Sequence, residues 1–323
     1  MFSNRFSAFI VHSIFWIIIA IVLIASANSI FLVFLTPVFL IDLWLALCLG
    51  FMLRLPKIRD DIEPPLGWEW DIHEVNKYPV RWLKNDIDPS KPLAIFIHGW
   101  NSRASNMMGR SSLFRERGYN CILLEMRAHG GNKRVPHWAA MHVCHDFENV
   151  LDIMHERGWL RNGFLIHGHS LGGFVAQRIL RPEVQTSKYA KGVILESPVT
   201  SYEYINNQTC DFLKIPQQLQ RPLMRRLLRY YNRLNPEQFR VPSIDFLKPP
   251  EWGTPECPTL LVQAKHDATL GSKHANLLIE LHDSLNLNFS SHFVEDLKHS
   301  YEQNNVVRDE IIQNWLEEQS LFF

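Results

Sequence analysis

The first 53 residues hold only two charged side chains, Arg5 and Asp42, leaving 64 of the 66 charges of this 323-residue chain to the remainder. That segregation narrows the choice of folds more than any motif does, because a stretch nearly free of charge and a stretch rich in it call for different solvents. Residues 9–27 are apolar apart from His12, Ser13 and Ser26, and as a helix they would be about 28 Å long, close to the hydrocarbon thickness of a bilayer. Residues 30–53 form a second apolar run containing Pro37 and Asp42, with the uncharged turn Asn28-Ser29 before it. The pair reads as a transmembrane hairpin anchor over residues 1–55. Arg5 flanks the first run, and Arg54, Lys57 and Arg59 follow the second, so both ends and the domain beyond are expected on the cytoplasmic side of an integral membrane protein. Ala25-Ser26-Ala27 also fits a signal-peptide cleavage site, and cleavage there would leave the second run to return the chain to the same side. Folding about Asn28 brings Asp42 to the depth of His12, which would give the carboxylate a partner; a protonated or water-reached carboxyl is the alternative.

Basic and acidic residues balance at 33 each, which disfavours a cationic nucleic-acid binder, and 46% hydrophobic residues suit a chain with a large core. The five cysteines (Cys48, Cys121, Cys144, Cys210, Cys257) are scattered without CxxC spacing, so reduced thiols fit better than a disulfide framework. Residues 56–67 are acidic and proline-rich towards their end and read as a linker. From about residue 68 onward, continuous apolar runs at 93–97, 121–124, 164–166, 193–195, 260–262 and 289–294 alternate with helix-like stretches at 107–116, 147–157, 171–180, 274–283 and 306–317. This is the pattern of a mostly parallel sheet with helices on both faces, here a domain over residues 68–323.

The connection between the fourth and fifth of these strands is too long for an ordinary loop and reads as a helical cap inserted at about 198–258. Within it, Leu219, Leu223, Met224, Leu227, Leu228 and Tyr231 share one half of a helical wheel. Arg221, Arg225, Arg226, Arg229 and Arg233 occupy the other half, uninterrupted by an acid. The expected arrangement turns the apolar side to a substrate pocket and the arginines to water or to anionic headgroups.

Gly168-His169-Ser170-Leu171-Gly172 follows an apolar strand and opens a helix-like stretch, the context in which G-x-S-x-G makes a nucleophile. The sharp turn strains the serine backbone, and side chains two residues to either side would collide with neighbouring segments. A serine hydroxyl also needs a base, and the base needs a carboxylate to orient it. His299, after the last strand-like run, and Asp267, after the strand at 260–262, are placed to supply them, with Asp296 and His292 as substitutes. The amides of Leu171, at the start of the following helix, and of Trp100, in His98-Gly99-Trp100-Asn101, are the candidate oxyanion donors. His137, His142, Cys144, His145 and Asp146 match no closed zinc site, and neither a metal nor another cofactor is expected.

These motifs, with Gly118-Tyr119-Asn120-Cys121 leading into Glu125-Met126-Arg127-Ala128-His129-Gly130, resemble the α/β-hydrolase superfamily of serine hydrolases over about residues 68–320. In the family's D-x-R-G-H-G turn, Glu125 stands for Asp and Ala128 for Gly. Glu196-Ser197-Pro198 and the short cap resemble the membrane-tethered small-lid branch related to prolyl-oligopeptidase-like hydrolases. The resemblance implies an α/β-hydrolase fold and an acyl-enzyme formed by Ser170, with His299 moving the proton and Asp267 holding His299. The expected substrate is an acyl ester or thioester, lipid-derived given the anchor. A peptidase or acyltransferase on the same triad and a non-catalytic membrane scaffold of the same fold are the competing readings.

Overall fold

A computed structural model describes residues 6–26, 30–75, 77–235, 239–300 and 302–321, so Arg5, Ala27 and the Asn28-Ser29 turn lie outside the described residues. The chain divides into two compact units, a smaller one of residues 1–55, 135–138 and 205–244 and a larger one of residues 56–134, 139–204 and 245–323.

The larger unit is built on an eight-stranded sheet in the order β1-β2-β4-β3-β5-β6-β7-β8. Its strands are β1 (Glu69–Val75), β2 (Tyr78–Lys84), β3 (Leu93–Ile97), β4 (Asn120–Glu125), β5 (Phe164–His169), β6 (Ala190–Glu196), β7 (Thr259–Ala264) and β8 (Phe289–Val294). From β4 to β8 every pairing is parallel, while β2 runs antiparallel to both β1 and β4. The parallel strands β3, β4 and β7 are buried at every residue, as unbroken apolar runs require when both sheet faces are covered.

One face lies beneath α3 (Met108–Glu116) and α9 (Val306–Glu318), whose Phe114, Ile312, Trp315 and Leu316 join Ala94, Phe96, Cys121, Leu123, Leu165, Ile194, Leu260 and Val262 in one core. The alternate residues Ile95, Ile122, Ile166, Val193 and Leu261 are equally buried. Of the remaining helices, α5 (Leu171–Ile179) contacts β3, β5 and β6 and packs against α4 (Ala140–Glu156), and α8 (Lys273–Leu285) contacts β8.

Residues 56–67 hold neither helix nor strand, yet they are fastened to the unit. The Lys57 amide donates to Asn101 Oδ1 and the Arg59 amide to the Gly130 carbonyl, both at 2.9 Å. Arg81 Nη1 grips both oxygens of Asp61 at 2.8 and 2.9 Å.

In the smaller unit, α1 (Ser7–Ala25) and α2 (Ile30–Met52) are in contact and are both long and apolar enough to cross a membrane by length and composition. Their outward side chains, among them Ile17, Ile21, Val22, Val33 and Phe34, are exposed isoleucine, valine and phenylalanine. The Asp42–His12 pairing expected from the hairpin register is present, with Nδ1 and Oδ2 2.6 Å apart. Trp16 Nε1 donates to the same oxygen at 2.9 Å. The third partner is Arg226 of α7 (Gln217–Leu234), whose Nη2 donates to Asp42 Oδ1 at 2.6 Å. Leu45, Cys48 and Leu49 of α2 are buried with Cys210, at the end of α6 (Tyr202–Phe212), and with Ile215, Leu223 and Met224.

Candidate active site

Five loops at the carboxyl ends of β3, β5, β6, β7 and β8 carry the residues singled out above, the edge at which parallel α/β sheets present their chemistry. Ser170 caps β5 with φ +52° and ψ −117°, a backbone that an L-residue adopts only under constraint. The constraint is visible on both sides. A Cβ on Gly168 would sit 2.7 Å from the Gly172 carbonyl oxygen, and one on Gly172 would sit 2.0 Å from the Ile97 carbonyl oxygen, so α5 lies against β3 at a distance only glycine permits. The Ser170 amide donates to the Glu196 carbonyl at 2.9 Å and the Ser170 carbonyl accepts from Val199 at 3.0 Å, which ties the elbow to the end of β6.

The structure brings Ser170, His299 and Asp267 together. His299 Nε2 lies 3.0 Å from Ser170 Oγ, and His299 Nδ1 lies 2.8 Å from Asp267 Oδ2. Asp267 Oδ1 accepts the amides of Thr269 and Leu270 at 2.9 Å each, and Oδ2 also accepts Gln263 Nε2 at 3.1 Å. Burial would raise this carboxyl, but the His299 hydrogen bond and the two amides outweigh it and hold the group below its ordinary range. Asp267 is therefore ionised and acts on Nδ1 as an acceptor, leaving Nε2 free to accept the serine proton. The substitutes play no part in this constellation: Asp267, not Asp296, meets the ring, and His292 lies exposed on β8.

Leu171 is the first residue of α5, where the amides have no partner within the helix. The loop bearing Trp100 is shaped by His98, a fully buried neutral ring. Its Nδ1–H donates to the Gly99 carbonyl at 2.8 Å while Nε2 accepts the Met126 amide at 3.1 Å. A Cβ on Gly99 would come within 3.1 Å of Ser170 Cβ, so this loop passes directly over the serine. The Trp100 ring stands edge-on to His129 at 5.3 Å.

Two residues, His169, expected only as a packed or pocket-lining ring, and Glu196, take supporting parts that the sequence did not assign them. His169 is half-buried, and the loss of solvent around its ring, with the nearby Arg110 charge adding to it, pushes its pKa down to about 3. Its neutral ring donates Nε2–H to the backbone carbonyl of His299 at 2.8 Å, holding the loop that carries the base. Beneath the elbow, Glu196 takes Arg110 on both oxygens at 2.8 and 2.5 Å and His167 Nε2 at 3.0 Å, with Arg308 Nη1 at 3.6 Å. Burial alone would raise the Glu196 carboxyl, yet the Arg110 charge, the hydrogen bonds from His167 and Arg110 and the Arg308 charge hold it well below the usual range. Arg308 Nη2 also donates to the Gln303 carbonyl at 3.0 Å, so the network reaches the stretch after His299. No spacing in the sequence signals either group, because each is defined by strands and helices far apart in the chain.

The departures from the expected turn are accommodated. Ala128 takes φ +58°, and its amide is held by the Tyr78 hydroxyl at 2.8 Å. The longer Glu125 side chain fills the space beneath Gly130, where an added Cβ would lie 2.0 Å from Glu125 Oε1. Burial pushes its pKa up to about 7 despite Arg81 at 3.8 Å. In the histidine-rich stretch, Asp146 is bound by Arg127 at 2.8 and 2.5 Å and His145 meets Asn149 at 2.6 Å.

A family profile described as "Alpha/beta hydrolase family" matches residues 94–303. Solved structures with the same fold include a Pyrococcus furiosus esterase (17% identity, TM-score 0.58, covering 82% of this chain and 98% of that one). Another is a putative lipase from Acinetobacter baumannii (17%, 0.54, 79% and 93%). A third is Thermogutta terrifontis esterase 2, phosphoramylated by tabun (15%, 0.57, 81% and 97%). A search of curated proteins finds no match.

Proposed function

The chain belongs to the alpha/beta hydrolase family, and from that footing we propose that it is a membrane-anchored serine hydrolase that cleaves an acyl ester or thioester, lipid-derived, through Ser170, His299 and Asp267. The observation that carries the reading is the unbroken line from the Ser170 hydroxyl through His299 to Asp267, at 3.0 and 2.8 Å. His299 Nε2 takes the hydroxyl proton as Ser170 Oγ attacks the substrate carbonyl, and Asp267 stabilises the imidazolium that forms. The Leu171 and Trp100 amides receive the developing oxyanion, a contribution of about 10²–10³ in rate for each such donor. His299 then returns the proton to the leaving oxygen or sulfur. The acyl group remains on Ser170 until water, deprotonated by the same ring, releases the acid and restores the hydroxyl.

The apolar hairpin of α1 and α2 supports the membrane part of the proposal, and tethering of the chain to a bilayer favours an acyl-chain substrate. Arg54, Lys57 and Arg59 support a cytoplasmic face for the catalytic unit. Glu196-Ser197-Pro198, with Pro198 packed on Gly173, supports the prolyl-oligopeptidase-like branch.

The test is covalent labelling of the full chain in detergent with a fluorophosphonate, alongside turnover of short p-nitrophenyl esters. Wild type is expected to label and turn over, and Ser170→Ala to do neither. Folded wild type that does neither would favour the scaffold reading. Faster transfer to an added amine or alcohol than to water would favour a peptidase or acyltransferase on the same groups.

A further inference from the structure

We propose that α7 carries a binding surface for anionic phospholipid headgroups, formed by Arg221, Arg225 and Arg229. The inference rests on the reading of the hairpin as a membrane anchor and adds a lipid preference to it.

The arginines of α7 divide by what they face. Arg226 turns to the hairpin and meets Asp42 at 2.6 Å. Arg221, Arg225 and Arg229 are exposed and make no hydrogen bond or ion pair among the described residues. Spaced four residues apart, they form one stripe in which neighbours stand about 6 Å apart along the axis. Residues 217–234 include no acid to neutralise them, so ion pairs within the helix are not available on this face. Leu223 and Met224 are buried on the opposite side against Leu45, Cys48 and Leu49 of α2, with Leu219, Leu227 and Tyr230 packed beside them.

The apolar side of α7 is therefore spent on the half of α2 that ends at Met52, and the ion pair with Asp42, ten residues before that end, fixes the helix there. Exposed guanidinium groups enter hydrocarbon only at high cost, so a stripe fixed to the half of α2 that runs towards Arg54, Lys57 and Arg59 is held at the phosphate layer, and phosphate is a group that the paired N–H donors of arginine bind well. Each basic residue close to an anionic surface strengthens attachment to it, so three of them suffice to select anionic over zwitterionic lipid.

The experiment uses the full chain. Flotation with phosphatidylcholine vesicles establishes whether the hairpin inserts. Native mass spectrometry of detergent-solubilised protein then compares retention of short-chain phosphatidylglycerol and phosphatidylcholine, with glycerol phosphate as competitor. Wild type is expected to retain phosphatidylglycerol at least fivefold over phosphatidylcholine, with little displacement by glycerol phosphate. Arg225→Gln/Arg229→Gln is expected to bring the ratio near one while ester turnover stays unchanged. A wild-type ratio near one, an unchanged ratio in the variant, or full displacement by glycerol phosphate overturns the proposal and leaves the anchor standing. Failure to float with any vesicle overturns the anchor and this surface with it.

Discussion

At the scale of single residues, the candidate site depends on side chains that fix backbone as much as on those that would react. His169 reaches the His299 carbonyl with Nε2–H, a contact that sets where the base sits but touches no reacting atom. His169→Leu is expected to lower kcat about 10–100-fold with KM little changed, since small misplacement of a catalytic group costs that much. His169→Gln, whose amide nitrogen reaches the position of Nε2, should recover most of it, and the rate of fluorophosphonate labelling should follow kcat. Glu125 gives a pH signature. Its folded pKa of about 7 stands above the ordinary 4.5, so the folded state binds more protons than the unfolded state between those values. Stability therefore falls as pH rises from about 4.5 to 7 and levels off above, by roughly 1–3 kcal/mol. Thermal midpoints at pH 5 and 8 are expected to differ less in Glu125→Gln than in wild type, and equal differences would show that this carboxyl is not the group responsible. Ser170 was legible because its motif is local. His169 as a support was not, since its partner lies 130 residues away.

Among elements, the parallel strands were readable because burial on both faces leaves continuous apolar runs, and β3 and β8 begin and end where the pattern does. The antiparallel pair β1 and β2 was missed for the converse reason. β1 is an edge strand with exposed Glu69, Ile72 and Glu74, and β2 carries Arg81, buried by its pairing with Asp61 rather than by apolar character. Helix α4 was expected to start at 147 and starts at Ala140, because His142, Cys144, His145 and Asp146 of the histidine-rich stretch lie in its first two turns. The join of β5 to α5 is the most demanding element boundary. Gly172→Ala would place a methyl 2.0 Å from a backbone oxygen of β3. We expect a loss of about 2–4 kcal/mol or failure to fold, read by denaturant unfolding, because neither β3 nor α5 has room to retreat within a close-packed core. A stable, active Gly172→Ala protein would contradict the close approach.

For the whole molecule, the two units differ in what they leave exposed. The hairpin turns Ile17, Ile21, Val22, Val33 and Phe34 outward, whereas β3, β4 and β7 of the larger unit bury every residue. The full chain is accordingly expected to remain with membranes after alkaline carbonate washing, and release into the supernatant would argue against insertion. The segregation of charge was legible in the sequence, but the cap's part in the smaller unit was hidden. The expected His12–Asp42 pair proved to have two further members, one of them 184 positions downstream. That distance has a consequence for biosynthesis. At ordinary elongation rates of about 5–20 residues per second, Arg226 leaves the ribosome on the order of ten to forty seconds after Asp42. Throughout that interval the nascent hairpin holds its carboxylate with His12 and Trp16 alone, and the Leu45–Leu49 face waits uncovered for a helix not yet translated.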